Sequence, residues 1–529
     1  MCGIAVAIGW ETAEDTVRSL IGGLAHRGDV SDPIVTPFPG AAMATRRLRI
    51  VDGDHAVQPM LSFDGRILLA FNGEIYNHLA LRRELEERGV RFRTSSDTEV
   101  LANALNLWGQ EALERLNGMY AFVALNLSSG SFLAARDPLG EKPLYVIQSG
   151  EGFAFCSEIR PLLSAVETGP VFQLPPGHTL TRSRLERVRP PGFGAQTGFD
   201  LDPAILDGLL AEAVDLRTPD DLRCAVLFSG GIDSTLIAHY ARQTRPDTPG
   251  YFLGGPRSPD YDYARDYADR TGFDLRCVEL AIQDDPAAVI GEVVAMTESF
   301  EPDMVRASLC TSVLARRVHE DGLRVVLCGE GADELFAGYV PLEVAYSRDP
   351  MVGDSVRDQH LTFMQQTNLQ RVDRCTMRFQ VEARQPFLDP AVVSYALGLN
   401  ASAHVEQVGG AARGKAALRS LYNLHLDALG AAIRDRRKTP LAEGAGFEGG
   451  PNASPWRHFA EQTISDQVFT EGQRRFGAFD IRTKEELLYL DRLSGSMDVT
   501  RVPHLTHRAR LHYSIRHEED AERLGPYRL

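Results

Sequence analysis

Residues 225–234 read AVLFSGGIDS, an apolar run that ends in two adjacent glycines. The run predicts a buried strand, and the residues after Gly231 predict the start of a helix. Glycines allow backbone N–H groups to approach phosphate oxygens, and a helix N-terminus adds partial positive charge. Asp233 alone would repel a phosphate, so its position implies a bridging divalent cation. An ordinary strand–turn–helix corner is the alternative, because Gly-Gly turns are common.

A second loop of this kind, residues 328–334 (CGEGADE), follows the apolar run 325–328. Carboxylates at the ends of two strands fit a metal–phosphate site at the carboxyl edge of a sheet. A solvated acidic turn is the alternative for the second loop. No Gly-Lys-Ser/Thr follows Gly231, which excludes the phosphate loop of P-loop ATPases and GTPases.

Helices and strands alternate around the first loop, which predicts a parallel α/β sheet. The predicted helices span residues 204–216, 234–242 and 261–271, and the predicted strands span 224–228, 251–253, 275–280 and 325–328. After about residue 378 the chain is predicted to be mostly helical, with a glycine-rich loop at 443–450.

The first 170 or so residues differ from this pattern, because short apolar runs bounded by Gly, Asn, Asp or Ser dominate them. The predicted strands span residues 4–8, 66–71, 121–127, 132–135, 144–147 and 153–155, and the two predicted helices span 14–24 and 77–88. This mixture predicts an α+β domain. The breaker-rich stretch 189–194 (RPPGFG) marks the boundary between domains of residues 2–190 and 200–529.

Composition narrows the class of protein. The chain has 529 residues and a net charge of −16, which argues against nucleic-acid or anionic-membrane binding as the main activity. No apolar run is long enough for a membrane span, and no secretory signal is visible. The seven cysteines include no CxxC pair, so neither a disulfide framework nor a zinc site is predicted. We expect a reduced, cytoplasmic protein.

Cys2 is the strongest candidate nucleophile. Removal of Met1 would leave its thiol beside a free α-amine, which titrates near pH 8 and can take up the thiol proton. A buried structural cysteine is the alternative for Cys2 alone. Arg47 followed by Leu48, Asn72-Gly73-Glu74 and Asp97 add a guanidinium for a carboxylate, an amide and an N–H for an oxyanion, and carboxylates for an ammonium.

These residues resemble the glutaminase domain of class II glutamine amidotransferases. The matching motifs are MCGI at 1–4, HRG at 26–28, RL at 47–48, NGEIYN at 72–77, SD at 96–97 and RDPLG at 136–140. The resemblance implies two layered antiparallel sheets flanked by helices, with Cys2 attacking the glutamine amide, and Asn72 and Gly73 forming the oxyanion hole. It also implies that Arg47, Leu48, Glu74 and Asp97 bind glutamine. The family usually has proline where this chain has Asp29.

The second domain resembles enzymes that split ATP into AMP and pyrophosphate, and the whole chain resembles the glutamine-hydrolysing asparagine synthetase family. Further matching segments are GPRSPD at 255–260, ESF at 298–300, RAS at 306–308, VEARQPFLD at 381–389 and Lys438 before a glycine loop. ATP and Mg²⁺ are the implied cofactors, and the resemblance implies that Asp233 and Asp333 hold the magnesium on the pyrophosphate. A homodimer is usual for the family. The implied ATP-binding residues are Phe228, Ser229, Gly230, Gly231, Asp233, Ser234, Leu253, Cys328 and Gly329.

The resemblance implies a reaction at two sites. A carboxylate acceptor would attack the α-phosphate of ATP to form an acyl-adenylate. Ammonia released at Cys2 would travel through an internal tunnel and displace AMP. Glu330 would assist this chemistry, and Lys438 would stabilise charge on the phosphate. The alternative for Lys438 is a surface lysine in the charged run 434–438.

Three departures from the family pattern concern the acceptor. Cys328 stands where a hydroxyl is expected, Asp303-Met304-Val305 replaces a stretch that usually carries threonines, and Leu309 replaces another threonine. Arg306 remains to bind an acceptor carboxylate. Aspartate is the default acceptor, and another carboxylic acid in a specialised pathway is the alternative.

Other function classes fit the residues less well. Relatives that close β-lactam rings tend to lack the nucleophilic cysteine, and the pyrophosphate loop disfavours sugar-isomerase or phosphoribosyltransferase partners of the glutaminase. A tRNA-modifying adenylating enzyme should carry a basic surface or a cysteine pair. A non-catalytic protein would not be expected to keep so many reactive side chains together.

Overall fold

The computed structural model describes residues 1–53, 55–188, 198–219, 222–280, 285–449 and 454–506. The predicted domain boundary at 189–194 lies outside these residues, so the domain limits stay a prediction. Among the described residues, no helix is both long and apolar enough to cross a bilayer.

The N-terminal part is built on thirteen described strands and four α-helices. The strands are β1 (Cys2–Ile8), β2 (Val30–Ser31), β3 (Val35–Phe38), β4 (Ala41–Arg47), β5 (Met60–Leu61), β6 (Ile67–Ile75), β7 (Gly118–Asn126), β8 (Phe132–Arg136), β9 (Tyr145–Ser149), β10 (Gly152–Cys156), β11 (Val171–Gln173), β12 (His178–Leu180) and β13 (Leu185–Arg187). The helices are α1 (Ala13–Gly23), α2 (His78–Glu87), α3 (Asp97–Trp108) and α4 (Ile159–Ala165).

These strands form two antiparallel sheets packed face to face. The first has the order β11-β9-β10-β1-β4-β2, with β3 also paired to β4, and the second has the order β13-β12-β8-β7-β6-β5. Alternation along β1 explains the layers, because Ile4 and Val6 enter the core between the sheets while Ala5 and Ala7 enter the core beneath the helices. The small alanines allow α1 to approach β1.

The second part contains a five-stranded parallel sheet, a two-stranded hairpin and many helices. The strands are β14 (Cys224–Leu227), β15 (Gly250–Leu253), β16 (Leu275–Val278), β17 (Val325–Leu327), β18 (Glu382–Arg384), β19 (Val405–Val408) and β20 (Ala411–Gly414). The helices are α5 (Pro203–Arg217), α6 (Ile232–Thr244), α7 (Tyr261–Thr271), α8 (Pro286–Thr297), α9 (Pro302–Glu320), α10 (Ala332–Leu335), α11 (Val340–Arg348), α12 (Pro350–Phe363), α13 (Asn368–Met377), α14 (Pro390–Gly398), α15 (Ala401–His404), α16 (Ala416–His425), α17 (Ala431–Arg434), α18 (Leu441–Gly444), α19 (Pro455–Thr463), α20 (Asp466–Arg475) and α21 (Lys484–Ser496).

The order of the parallel sheet positions the candidate site. The strands lie in the order β16-β15-β14-β17-β18, so successive connections run to opposite sides of β14. The chain therefore changes direction between β14 and β17, and ligands of open α/β sheets bind in the crevice at such a point. The two loops singled out in the sequence, 228–234 and 328–334, follow β14 and β17.

The predicted fold class is confirmed, and the structure corrects several details. Two helices were predicted in the N-terminal part, whereas the structure also contains α3 and α4. The region after residue 378 is not only helical, because β18 completes the parallel sheet and β19 and β20 form a hairpin. The hairpin turns at Gly409 and Gly410, which both have positive φ angles.

Candidate active site

Cys2 lies at the start of β1, opposite Arg47 on β4, and is 5% exposed. Its backbone N–H donates to Asn72 Oδ1 at 2.8 Å. Burial raises the pKa of the Cys2 thiol, and this effect outweighs the nearby amino terminus and Arg47. The resting group is therefore a thiol, which needs a base before it can act as a nucleophile.

Asn72 and Gly73 lie next to each other on β6, and Asn72 contacts the backbone of Cys2. Asn72 is fully buried, and its Nδ2 has no hydrogen-bond partner among the described residues although its Oδ1 is engaged. Burying a donor without a partner costs free energy of folding, so the Asn72 Nδ2 group is available to donate a hydrogen bond to a ligand. A Cβ atom at Gly73 would lie 2.1 Å from Met119 O, so no larger residue fits beside Asn72.

Arg47 is held more tightly than the sequence indicated. Its Nε and Nη2 donate to the two Asp32 carboxylate oxygens at 2.8 and 3.2 Å, and its Nη1 donates to Gly53 O at 2.5 Å. Leu48 is buried, and its N–H donates to Met1 O at 2.9 Å. Sequence reasoning missed Asp32, whose only signal is an acid shortly after the His-Arg-Gly motif.

Glu74 and Asp97 place two buried carboxylates beside the cysteine strand. Asp97 Oδ2 accepts from the N–H of Ile75 at 3.0 Å, and Glu74 Oε2 accepts from Arg384 Nη2 at 3.1 Å. Burial raises the pKa of both carboxyls, and Asp97 raises that of Glu74 further. An added ammonium group would relieve this repulsion, which fits the α-ammonium of a bound amino acid.

The loop after β14 folds as its glycines require. Gly230 has a φ of 70°, and a Cβ atom there would lie 2.6 Å from Ala264 N. Gly231 caps the N-terminus of α6, and its N–H donates to Ser229 Oγ at 3.3 Å. Ser234 Oγ accepts from Ser229 N–H at 3.2 Å. The N-terminus of α6 therefore points into the crevice together with two hydroxyl groups.

Asp233 and Asp333 meet two lysines. Lys415 Nζ lies 2.6 Å from Asp233 Oδ2 and 2.5 Å from Asp333 Oδ1, and Lys438 Nζ lies 2.5 Å from Asp333 Oδ2. Burial alone would raise the pKa of Asp333, but the two ammonium groups outweigh burial and hold it at about 2. Lys438 is thus part of the cluster, and Lys415, which sequence reasoning missed, bridges its two carboxylates.

The fit of this cluster to Mg²⁺ rests on one atom. Asp233 Oδ1 is buried and has no hydrogen-bond partner in the described part of the chain. Oxygen ligands from one or two carboxylates, completed by phosphate and water, are typical of magnesium. Within the described residues no group of three or more His, Cys, Asp or Glu side chains is placed to hold a metal by itself.

Seven of the nine predicted ATP-binding residues line one cavity of about 220 Å³. The predicted site residues that line it, whatever their predicted role, are Phe228, Ser229, Asp233, Ser234, Leu253, Arg306, Cys328, Gly329, Glu330, Asp333 and Lys438. Gly231 lines an adjoining cleft with Lys415, whereas Gly230 supports the loop from behind. Burial raises the pKa of Cys328 to about 12, so its side chain remains a thiol.

Glu330 is paired with a residue that the sequence did not suggest. Its carboxylate makes a short ion pair with the Arg371 guanidinium, and both residues line the cavity. Arg371 lies on α13, and two later residues of this helix, Asp373 and Arg374, contact the N-terminal part. Asp373 accepts hydrogen bonds from Arg27 Nη1 and Nη2 at 2.8 and 3.0 Å. Helix α13 therefore contacts both the cavity and the N-terminal part that contains Cys2.

Arg306 also lines the cavity, but carboxylates of the protein surround it. Its Nε and Nη2 donate to Glu485 at 2.9 and 3.1 Å, and its Nη1 donates to Glu448 at 3.1 Å. Asp303 Oδ1 lies 3.5 Å from the same Nη1. The structure therefore places Arg306 where an acceptor could lie, with each of its three nitrogens already engaged.

Known proteins match both parts of the chain. The family model described as "Glutamine amidotransferase domain" matches residues 1–180, and the one described as "Asparagine synthase" matches residues 206–354 and 355–501. "Asparagine synthetase [glutamine-hydrolyzing] 3" of Arabidopsis thaliana is 32% identical over 76% of this chain and 71% of its own length. "Asparagine synthetase [glutamine-hydrolyzing]" of Triphysaria versicolor is 30% identical over 92% of this chain and 85% of its own length.

The chain belongs to the asparagine synthase family. It is an enzyme of the asparagine synthetase type, and it carries the glutamine amidotransferase domain of that family. A solved structure of glutamine phosphoribosylpyrophosphate amidotransferase from B. subtilis is 21% identical and covers 54% of this chain and 70% of its own. The TM-score between the two structures is 0.31, which is low.

Proposed function

We propose that this enzyme hydrolyses glutamine at Cys2 and uses the ammonia to convert a carboxylic acid into an amide, with ATP split into AMP and pyrophosphate. The observation that carries the proposal is the meeting of Asp233 and Asp333 with Lys415 and Lys438 at a cavity between the ends of β14 and β17. Carboxylates for a cation and ammonium groups for phosphate are the groups that pyrophosphate release requires.

In the glutaminase step, Cys2 Sγ attacks the side-chain carbonyl carbon of glutamine. The α-amine that Met1 removal would expose takes the thiol proton and returns it to the departing ammonia. Asn72 Nδ2 and the Gly73 N–H donate to the oxyanion, while Arg47, Leu48, Glu74 and Asp97 orient the substrate. Water then hydrolyses the thioester to glutamate and regenerates the thiol.

In the synthetase step, an oxygen of the acceptor carboxylate attacks the α-phosphorus and pyrophosphate leaves. Asp233 and Asp333 would hold Mg²⁺, which supplies positive charge for the pyrophosphate oxygens. Lys415 and Lys438 neutralise phosphate charge, and Glu330 accepts a proton from the attacking ammonia. Ammonia forms the new C–N bond as the bond to AMP breaks, in a site that must exclude water.

The finer points of the proposal follow the family resemblance. Ammonia passes between the sites through an internal tunnel, ATP binds against Phe228, Leu253, Cys328 and Gly329, and aspartate is the default acceptor. A different carboxylic acid is the second candidate, favoured by the carboxylates around Arg306. We also propose a cytoplasmic homodimer that binds no nucleic acid and no membrane. The homodimer follows the family resemblance, and the net charge of −16 and the seven free cysteines support the other points.

Pyrophosphate release tests the proposal. The enzyme is incubated with ATP, magnesium and glutamine, with and without aspartate, and the products are separated by amino-acid analysis. Aspartate-dependent pyrophosphate with equal amounts of asparagine and AMP would establish the default reaction. Glutamine hydrolysis without aspartate-dependent pyrophosphate would direct the search to other carboxylic acids, and loss of both activities in folded protein would refute the proposal.

Two variants separate the half-reactions. Cys2→Ala should abolish glutamine-dependent synthesis and retain ammonia-dependent synthesis, whereas Asp233→Ala should abolish ATP cleavage and retain glutaminase activity. Cys277→Ala is the matched control for the first, because Cys277 is an exposed cysteine. Equal loss of both nitrogen sources in Cys2→Ala would contradict the assignment of separate sites.

A further inference from the structure

The Arg306 side of the cavity carries an excess of negative charge. The single guanidinium contacts Asp303, Glu448 and Glu485 at distances of 3.5, 3.1 and 2.9 Å. Glu448 and Glu485 are 7% and 2% exposed, so water screens them little. Three carboxylates therefore contact one cation in this part of the site.

Binding of a second carboxylate of the acceptor would be unfavourable in this part of the cavity. Each nitrogen of Arg306 already contacts a protein carboxylate, and an incoming carboxylate would meet Asp303 and Glu448 at short range. Like charges in a partly buried site repel strongly, and removing a carboxylate from water needs compensating donors. The neighbouring lining residues Met304, Ala307 and Leu314 have apolar side chains.

A positively charged group would be attracted to the same place. An ammonium is a compact donor of three hydrogen bonds, and it would share the carboxylates of Asp303 and Glu448 with Arg306. Asp303 is the more accessible of the two, because its side chain is 40% exposed while it lines the cavity. Glu485 differs from Asp303 and Glu448, because it binds Arg306 through both carboxylate oxygens and does not line the cavity.

We infer that the acceptor is an amino acid with a single carboxylate and an ammonium at its other end, and that Asp303 and Glu448 select it over dicarboxylates. This inference rests on the proposed function and favours its second candidate, a carboxylic acid other than aspartate, as the acceptor at the same site. The reacting carboxylate is adenylated and amidated as above, while the ammonium keeps its protons and lies between Asp303 and Glu448. Both acids act as specificity-determining residues.

Acceptor pairs that differ in one group test the inference. β-Alanine is aspartate without its α-carboxylate, and 4-aminobutyrate is glutarate with one carboxylate replaced by an ammonium. Pyrophosphate release is measured with each acceptor under saturating ATP and ammonia, which bypasses the glutaminase. We expect kcat/KM for β-alanine and 4-aminobutyrate to exceed that of their dicarboxylate partners by at least tenfold. Equal or greater activity with aspartate and glutarate would overturn the inference.

Charge-neutral variants assign the effect to residues. Asp303→Asn and Glu448→Gln should raise KM for the ammonium acceptors at least tenfold, with a smaller change in kcat, and should narrow the preference over dicarboxylates. Glu320→Gln is the matched control, because Glu320 ends the same helix α9 and its ion pair with Arg316 is exposed. A purely structural role would lower thermal stability and affect both acceptor classes equally, which would overturn the assignment.

Binding separates this inference from the proposed function. Calorimetry with the full chain, a non-hydrolysable ATP analogue and magnesium compares 4-aminobutyrate with glutarate directly. Preferential binding of 4-aminobutyrate supports the inference even if turnover is absent, in which case the proposed reaction alone fails. Preferential binding of glutarate, or binding of neither acid, overturns the inference.

Discussion

Both polar atoms of the Asn72 side chain, Oδ1 and Nδ2, have a role in the proposed glutaminase step. Its Oδ1 accepts from the Cys2 N–H and so fixes the orientation of the group, while Nδ2 stays buried without a partner in the described structure. The amide cannot rotate to satisfy Nδ2 without losing the Cys2 contact. In the proposed reaction this donor is therefore preorganised, and it gains a hydrogen bond when the oxyanion forms.

Replacing Asn72 by alanine should lower the glutaminase kcat by about 10²- to 10³-fold, the usual effect of losing one oxyanion-hole donor. Ammonia-dependent synthesis should be unchanged, because it does not use this donor. Steady-state glutamine hydrolysis and ammonia-dependent pyrophosphate release measure the two effects. Asn126→Ala, at the end of neighbouring β7, is the control. A change in KM alone would mean that Asn72 only binds substrate.

Replacing Lys415 by methionine should lower ATP-dependent pyrophosphate release at least 100-fold and leave glutamine hydrolysis within about twofold, since a charged contact to transferring phosphate is worth several kcal/mol. The pKa of Asp333, held at about 2 by two ammonium groups, should rise when one is removed. Lys484→Met is the control, because Lys484 pairs with the exposed Asp466. Retained pyrophosphate release would show that Lys415 is only structural.

The sequence predicted the individual site residues that stand in motifs. It missed the residues that reach the site only through tertiary packing. Cys2, Asn72, Asp233 and Asp333 stand in recognisable segments, and the structure assembles them into two sites. Lys415 follows Gly414 in a segment with no motif and is 182 positions from Asp233. No local pattern encodes such a distance, because the contact depends on how β20 and α16 pack.

Among elements, the turn between β14 and α6 is tightly constrained. Its positive φ at Gly230 and the nearby Ala264 N–H leave no room for a side chain. The sequence predicted this element because strand, glycine pair and helix are all local signals. In contrast, α3 was missed because Asp97 was interpreted as a substrate partner, although Ser96 also caps that helix by accepting from Thr98 N–H.

Gly230→Ala should abolish pyrophosphate release and preserve glutaminase activity, because a methyl group 2.6 Å from Ala264 N forces the loop to move. The matched control is Gly208→Ala within α5, where a Cβ would meet open space. That substitution should keep both activities and stabilise the protein by about 0.5–1 kcal/mol. Thermal unfolding and pyrophosphate assays report the two outcomes. Full activity in Gly230→Ala would contradict the role given to this loop.

At the scale of the whole molecule, buried ion pairs join the N-terminal part to the second part. Arg27 from the cysteine domain pairs with Asp373 on α13, and Arg374 on the same helix donates to Glu298 at 2.7 Å and lies 3.3 Å from Glu158. All five side chains are buried. The family motifs predicted both domains, but this interface could not be predicted, because it joins residues far apart in the chain.

Asp373→Asn should destabilise the protein by about 3 kcal/mol at neutral pH, since it leaves buried Arg27 short of a partner. Burial raises the pKa of Asp373, but Arg27 and Lys142 outweigh burial and lower it below its ordinary value. The stability it contributes is thus complete above about pH 4 and disappears as pH falls through the lowered pKa. The difference in free energy of unfolding between wild type and variant should shrink accordingly.

Urea unfolding at a series of pH values measures that difference. Asp491→Asn is the control, because Asp491 pairs with Arg475 on the surface and should show no such pH dependence. A difference that stays constant down to pH 2 would mean that Asp373 acts through packing instead of charge.

Helix α13 also constrains how such an enzyme could be recombined. Arg371 lines the cavity beside Glu330, while Asp373, two positions later, pairs with Arg27 of the N-terminal part. A glutaminase grafted from another lineage would have to present a matching cation at that place, or leave an acid buried alone. Residues 27 and 373 are therefore expected to be inherited as a pair, so that exchange of intact genes is easier than exchange of single domains.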